Sequence, residues 1–135
     1  TNVICFPFAV LDRDQTVRLY MHCKSAEDEI KFSTGSSIVA TKSNVEPERY
    51  VETMAIDLSE FVFRLNKRVR LLKMDIEGAE YDTLQRLIER DLADQIDVIL
   101  VETHAEKIES LRPKHQALQH LIEERSITNI DLSWI

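Results

Sequence analysis

An apolar run in the middle of the chain ends in Asp75 and Glu77, and a second apolar run ends in Glu102 and His104. Carboxylates and an imidazole at such positions can accept a proton, neutralise a cationic ligand or bind a divalent ion. We therefore take these four residues as the candidate catalytic residues.

Two predicted strands position these side chains. Residues 69–76 and 97–103 are rich in aliphatic residues and predict buried strands, and residues 79–90 between them predict a helix. This order predicts parallel neighbouring strands, whose carboxyl ends lie at the sheet edge where ligands bind. If Asp75 and Glu102 face the same way, their charges repel by about 3 kcal/mol at an effective dielectric of about 20. A cation or a shared proton must then offset the repulsion. The residues alone do not distinguish a functional role of Asp75 and Glu102 from a structural one.

The rest of the chain adds a half-buried antiparallel strand and further helices. Residues 16–22 alternate apolar and polar side chains, which predicts an antiparallel strand with one buried face and one face exposed to solvent. Asp57 or Ser59 is expected to cap a helix that begins near residue 58. The remaining predictions are strands at 3–10, 49–56 and 127–135, a loop at 25–44, and a helix that Pro113 opens. Together they predict an α/β fold.

The bulk composition excludes several classes of partner. The 135 residues suit a single domain, 1–135, and carry a net charge of −7. An acidic chain without a basic stripe argues against nucleic acid and membrane surfaces as partners. No apolar run approaches the roughly 20 residues of a membrane span. Cys5 and Cys23 lack metal-ligand spacing and predict reduced thiols in a cytoplasmic protein.

Residues 71–84, LLKMDIEGAEYDTL, resemble the central signature of the FkbM-type methyltransferases, which are S-adenosylmethionine-dependent O-methyltransferases. The matching positions are Lys73, Asp75, Glu77, Gly78, Ala79, Glu80 and Leu84. Weaker matches follow the family order at 8–12, 36–38, 54–57 and 101–104. The resemblance implies a partial Rossmann-like methyltransferase sheet, mostly parallel, with an antiparallel hairpin and with helices on its faces.

The same resemblance implies a cofactor and an acceptor. Ala9, Val10 and Asp75 would bind S-adenosylmethionine, with Ala9 and Val10 beside the adenine and with Asp75 and Glu77 near the sulfonium. Glu102 and His104 would lie near the hydroxyl of a small-molecule or glycan acceptor. His104 or one of the acids would then act as general base.

The chain departs from the family pattern in its cofactor-binding half. The glycine-rich first strand and the acidic end of the second strand are absent, and the chain begins at Thr1. We therefore expect the C-terminal, catalytic part of a larger methyltransferase domain, with weak or no cofactor binding alone. The family's sheet order would leave a gap of about 14 Å between the strands at 3–10 and 69–76. Because bare strand edges do not persist, we expect strands outside this chain, direct pairing of the two edges, or a second copy to fill the gap.

Two other functions remain open at this stage. A cofactor-free α/β module could act in interaction or regulation, in which case the exposed edge would favour a homo-oligomer. A metal-dependent hydrolase could use Asp75, Glu77, Glu102 and His104 as ligands for a divalent ion. The ordered matches beyond the acids favour the methyltransferase.

Overall fold

A computed structural model describes residues 2–32 and 35–134 and arranges them in two three-stranded sheets with packed helices. The strands are β1 (Ala9–Leu11), β2 (Gln15–His22), β3 (Val45–Asp57), β4 (Val69–Met74), β5 (Ile96–Val101) and β6 (Ile130–Asp131). The helices are α1 (Glu29–Phe32), α2 (Leu58–Leu65), α3 (Glu80–Glu89) and α4 (Arg112–Glu124), with 3-10 turns at Ala93–Gln95 and Glu109–Leu111. Across the described residues, no helix has the length and apolar character that crossing a membrane requires.

The first sheet has the strand order β1-β3-β2. Its long strands β2 and β3 are antiparallel, which confirms the predicted antiparallel strand at 16–22, whereas β1 runs parallel to β3 and does not pair with β2. The predicted buried strand at 3–10 is wrong over most of its length, because only Ala9–Leu11 forms a strand. The side chains of Val3 and Ile4 are 71% and 78% exposed. Pro7 cannot donate to a strand ladder, which is consistent with pairing that starts after it.

The second sheet has the order β4-β5-β6 and is entirely parallel. Met74 pairs with Val101, so β4 and β5 end side by side as the sequence predicts. Helices α2, α3 and α4 pack on the face that carries Met74, Ile99 and Val101, and this layer is the main core. The predicted last strand at 127–135 is reduced to Ile130–Asp131, and residue 135 lies outside the described residues.

The two sheets are joined by packing rather than by strand pairing. Among the described residues, β1 pairs with β3 and β4 pairs with β5, so the direct β1–β4 pairing that we considered is wrong. Helix α3 contacts β1, and Ile76 packs against the apolar clusters of both sheets. The face of the second sheet opposite its helices leaves Leu71 and Val98 54% and 41% exposed. That strands outside this chain or a second copy fill the gap in the sheet remains a prediction.

Asp57 caps α2 where β3 ends. Its Oδ1 accepts hydrogen bonds from the backbone N–H groups of Ser59 at 2.8 Å and Glu60 at 3.1 Å. We expect Asp57→Ala to lower the free energy of unfolding by about 1 kcal/mol, because both donors lose their acceptor. Thermal denaturation should show a Tm about 4 °C lower. Asp57→Asn keeps an acceptor and should lose less, and an unchanged Tm for Asp57→Ala would contradict the cap.

Candidate functional site

The turn between β4 and α3 adopts a backbone conformation that most residues avoid. Glu77 has φ +57° and Gly78 has φ +112°, so two consecutive residues have positive φ, outside the usual helical and strand regions. A left-handed conformation costs a non-glycine residue about 1–2 kcal/mol. The segment between β2 and β3 holds Glu77 in place, since Ser37 Oγ donates to its carbonyl oxygen at 2.5 Å. This turn projects Asp75 and Glu77 from the end of β4.

His104 lies at the centre of the acidic residues. Its side chain is only 1% exposed, and its Nδ1 is 3.1 Å from Glu80 Oε1. The backbone N–H of His104 donates to the same oxygen at 2.9 Å, and the Gly78 N–H donates to Glu80 Oε2 at 2.8 Å. The buried Glu80 carboxylate therefore fixes the orientation of the imidazole ring.

The other ring nitrogen of His104 faces three carboxylates. His104 Nε2 is 3.0 Å from Glu77 Oε2 and 3.9 Å from both Asp75 Oδ1 and Glu102 Oε1. The Glu77 contact is close but poorly aligned, so Nε2 has no hydrogen-bond partner of good geometry within the described residues. The structure thus brings all four candidate catalytic residues around one nitrogen atom.

Two lysines neutralise part of this negative charge. The ammonium of Lys42, which is buried, forms an ion pair with Glu77 and donates to the Gly35 carbonyl at 3.1 Å. Lys107 Nζ lies 2.9 Å from Glu102 Oε1 and lowers the pKa of that carboxyl. Glu77 and Glu102 therefore each have a lysine ammonium as a direct counter-ion.

The predicted repulsion between carboxylates is present at Asp75. Burial raises the pKa of Asp75, and the charges of Glu102 and Glu77 raise it further. At 38% exposure, its side chain is the most accessible of the four candidates. Asp75 is therefore the carboxylate of this group that a ligand can reach most easily.

In Glu77 and His104, the neighbouring charged groups shift the pKa in the direction opposite to the effect of burial. Burial alone raises the pKa of Glu77, but the adjoining His104 and Lys42 outweigh it and lower the value to about 2. Burial alone lowers the pKa of His104, but the adjacent carboxylates of Glu77 and Glu80 raise it to about 9. These shifts favour the protonated ring and the ionised Glu77 carboxylate.

Two cavities flank the acidic residues. One, of about 410 Å³, is lined by Ala9, Val10 and Asp75, so the three predicted cofactor-binding residues share one cavity. The other, of about 850 Å³, is lined by Glu102 and Trp134 among others. A third cavity, of about 600 Å³, is lined by charged and polar side chains of the β1–β2 turn and α3 and contains none of the candidates.

Three contacts of the site differ from the sequence interpretation. Glu80 lies in the first turn of a predicted helix, where the sequence favours an interaction with the helix dipole, but in the structure it orients His104. Its place two residues after Gly78, at the start of α3, was the available signal. Lys42 is 35 residues from Glu77 in the chain and gave no signal. Lys73 lies in an otherwise apolar predicted strand, where the sequence favours a buried ion pair, but in the structure its ammonium lies 4.4 Å from the centre of the Trp134 ring.

Comparison with known proteins identifies one family. The sequence model of the methyltransferase FkbM domain matches residues 1–134, which include both sheets and every candidate residue. Neither the curated proteins nor the solved structures give a significant match.

Proposed function

Because the chain belongs to the FkbM methyltransferase family, we propose that it is the catalytic part of an S-adenosylmethionine-dependent O-methyltransferase. One observation carries the O-methyl-transfer proposal. Asp75 and Glu102 line different cavities, yet both lie 3.9 Å from the same nitrogen of His104. A methyl donor in one cavity and a hydroxyl acceptor in the other would therefore meet at the candidate residues.

The cavity lined by Ala9 and Val10 fits part of the cofactor. Its apolar wall suits a flat adenine, and the Asp75 carboxylate suits a positive sulfonium. S-adenosylmethionine supplies an electrophilic methyl group when bound. The sequence contains only two glycines, Gly35 and Gly78, so it lacks a glycine-rich turn after a first strand. The cavity therefore suits the adenine and the sulfonium of S-adenosylmethionine, and not the whole cofactor.

The residues between the two cavities have separate roles in this proposal. Asp75 and Glu102 are the carboxylates placed to accept the proton of an acceptor hydroxyl. Glu77 is paired with the buried Lys42, whereas the Lys107 partner of Glu102 is exposed. The His104 ring is enclosed, so we assign Glu77 and His104 to positioning. This narrows the general base from four candidates to two.

A nuclear magnetic resonance titration with S-adenosylhomocysteine tests the proposal. We expect binding weaker than micromolar, with the largest shifts at the backbone amides of Ala9, Val10 and Asp75, because these residues line the proposed donor cavity. Adenosine should reproduce the shifts at Ala9 and Val10, whereas homocysteine should not. Unshifted amides at all three positions under millimolar ligand, or shifts confined to the Trp134 cavity, would refute the placement of the donor.

A further inference from the structure

We propose that Asp75, Glu77 and His104 form a binding site for one divalent metal cation. One ligand atom from each residue lies within 4.8 Å of the other two. Ligand atoms about 2.0–2.2 Å from a common ion are separated by about 3–4 Å. The distances of 3.0 Å and 3.9 Å from His104 Nε2 to Glu77 and Asp75 already lie in that range. Small side-chain adjustments therefore suffice for coordination.

The buried nitrogen of His104 is the observation that points to a ligand. Its Nε2 lacks an aligned partner within the part of the chain that the structure describes, although the side chain is 99% buried. Buried polar atoms are almost always satisfied, so such an atom requires an explanation. Because Glu80 holds Nδ1, the nitrogen directed at the acids is the one free to coordinate. A carboxylate behind a histidine is the usual outer partner in metal sites.

The local charge also matches a divalent ion. Asp75, Glu77, Glu80 and Glu102 contribute four negative charges, and Lys42 and Lys107 neutralise two of them. The ammonium of Lys73 is directed to the Trp134 ring. A divalent cation coordinated by His104 Nε2 balances the two negative charges that remain.

An ion can reach the site and keep open positions. Asp75 is 38% exposed and lines the 410 Å³ cavity together with Glu77, so coordination positions on that side remain available to water or a ligand oxygen. Mixed carboxylate and imidazole donors suit Mn²⁺, Fe²⁺ or Zn²⁺ better than Ca²⁺. Cation binding goes beyond methyl transfer and does not require it.

Calorimetric titration of the metal-free chain with MnCl₂ tests this site. We expect one Mn²⁺ per chain, and we expect Asp75→Asn and Glu77→Gln each to weaken binding at least about tenfold. Asp94→Asn is the matched control, because Asp94 is exposed at the opposite end of β5 and should leave affinity unchanged. Mn²⁺ should also broaden the amide signals of His104 and its neighbours by paramagnetic relaxation.

Three results would overturn the cation site. These are no binding of Mn²⁺, equal weakening by Asp94→Asn, or broadening that spares His104. Thermal denaturation of the Asp75 and Glu77 variants verifies that they fold. The S-adenosylhomocysteine titration is run without metal, so loss of cofactor binding and loss of cation binding are separate outcomes.

Discussion

Replacement of Glu80 by glutamine should lower the free energy of unfolding by about 3 kcal/mol or more. The Glu80 side chain is fully buried, and its two oxygens accept from the Gly78 N–H, the His104 N–H and the His104 ring. Glutamine offers one acceptor oxygen and turns an NH₂ group toward donors that would then be unpaired. Urea denaturation followed by circular dichroism measures the loss.

The matched control for this substitution lies on the same helix. Glu89 is exposed near the end of α3, so Glu89→Gln should change stability by less than about 0.5 kcal/mol. If the Glu80 and Glu89 variants unfold at the same urea concentration, the hydrogen bonds of Glu80 do not stabilise the fold as we describe.

The Gly78→Val substitution should cost about 2 kcal/mol or more, from two additive causes. The residue has φ +112°, a conformation that β-branched side chains rarely adopt. A Cβ there would lie 2.9 Å from Val39 Cγ2 and 3.2 Å from side-chain atoms of Ile108 and Leu111. The variant should therefore show a clearly lower Tm in a thermal melt.

An alanine at the same position measures what the Cβ costs without the rest of the valine side chain. Gly78→Ala introduces the Cβ without the two further methyl groups, so its Tm should fall between those of the wild type and Gly78→Val. A valine variant as stable as the wild type would show that the turn tolerates both the backbone conformation and the close contacts.

The second half of the fold follows from local sequence patterns. Each segment encodes its own element, through apolar runs in β4 and β5 and helical spacing in α3. The helical crossover from β4 to β5 makes these two strands parallel. The positions of Asp75 and Glu102 at neighbouring strand ends follow from the same patterns. This is why the sequence could predict the acids of the site.

The contacts made by distant segments could not be predicted in this way. Lys42 reaches Glu77 because the loop after β2 packs on the turn after β4, and no periodicity records that approach. The apolar residues at 3–8 predict burial, yet Val3 and Ile4 are exposed. Burial also requires a covering surface, which these residues do not specify. The enclosure of His104 likewise depends on Glu80 and Tyr81 from α3.

The contacts of Ser37 and Lys42 with Glu77 make the candidate site a joint between the two sheets. Any fluctuation that parts the sheets removes the counter-ion of Glu77 and releases its left-handed backbone at the same moment. The acidic pocket would then lose its shape while each sheet still kept its own hydrogen bonds. Separation of the two sheets would therefore disrupt the candidate site directly.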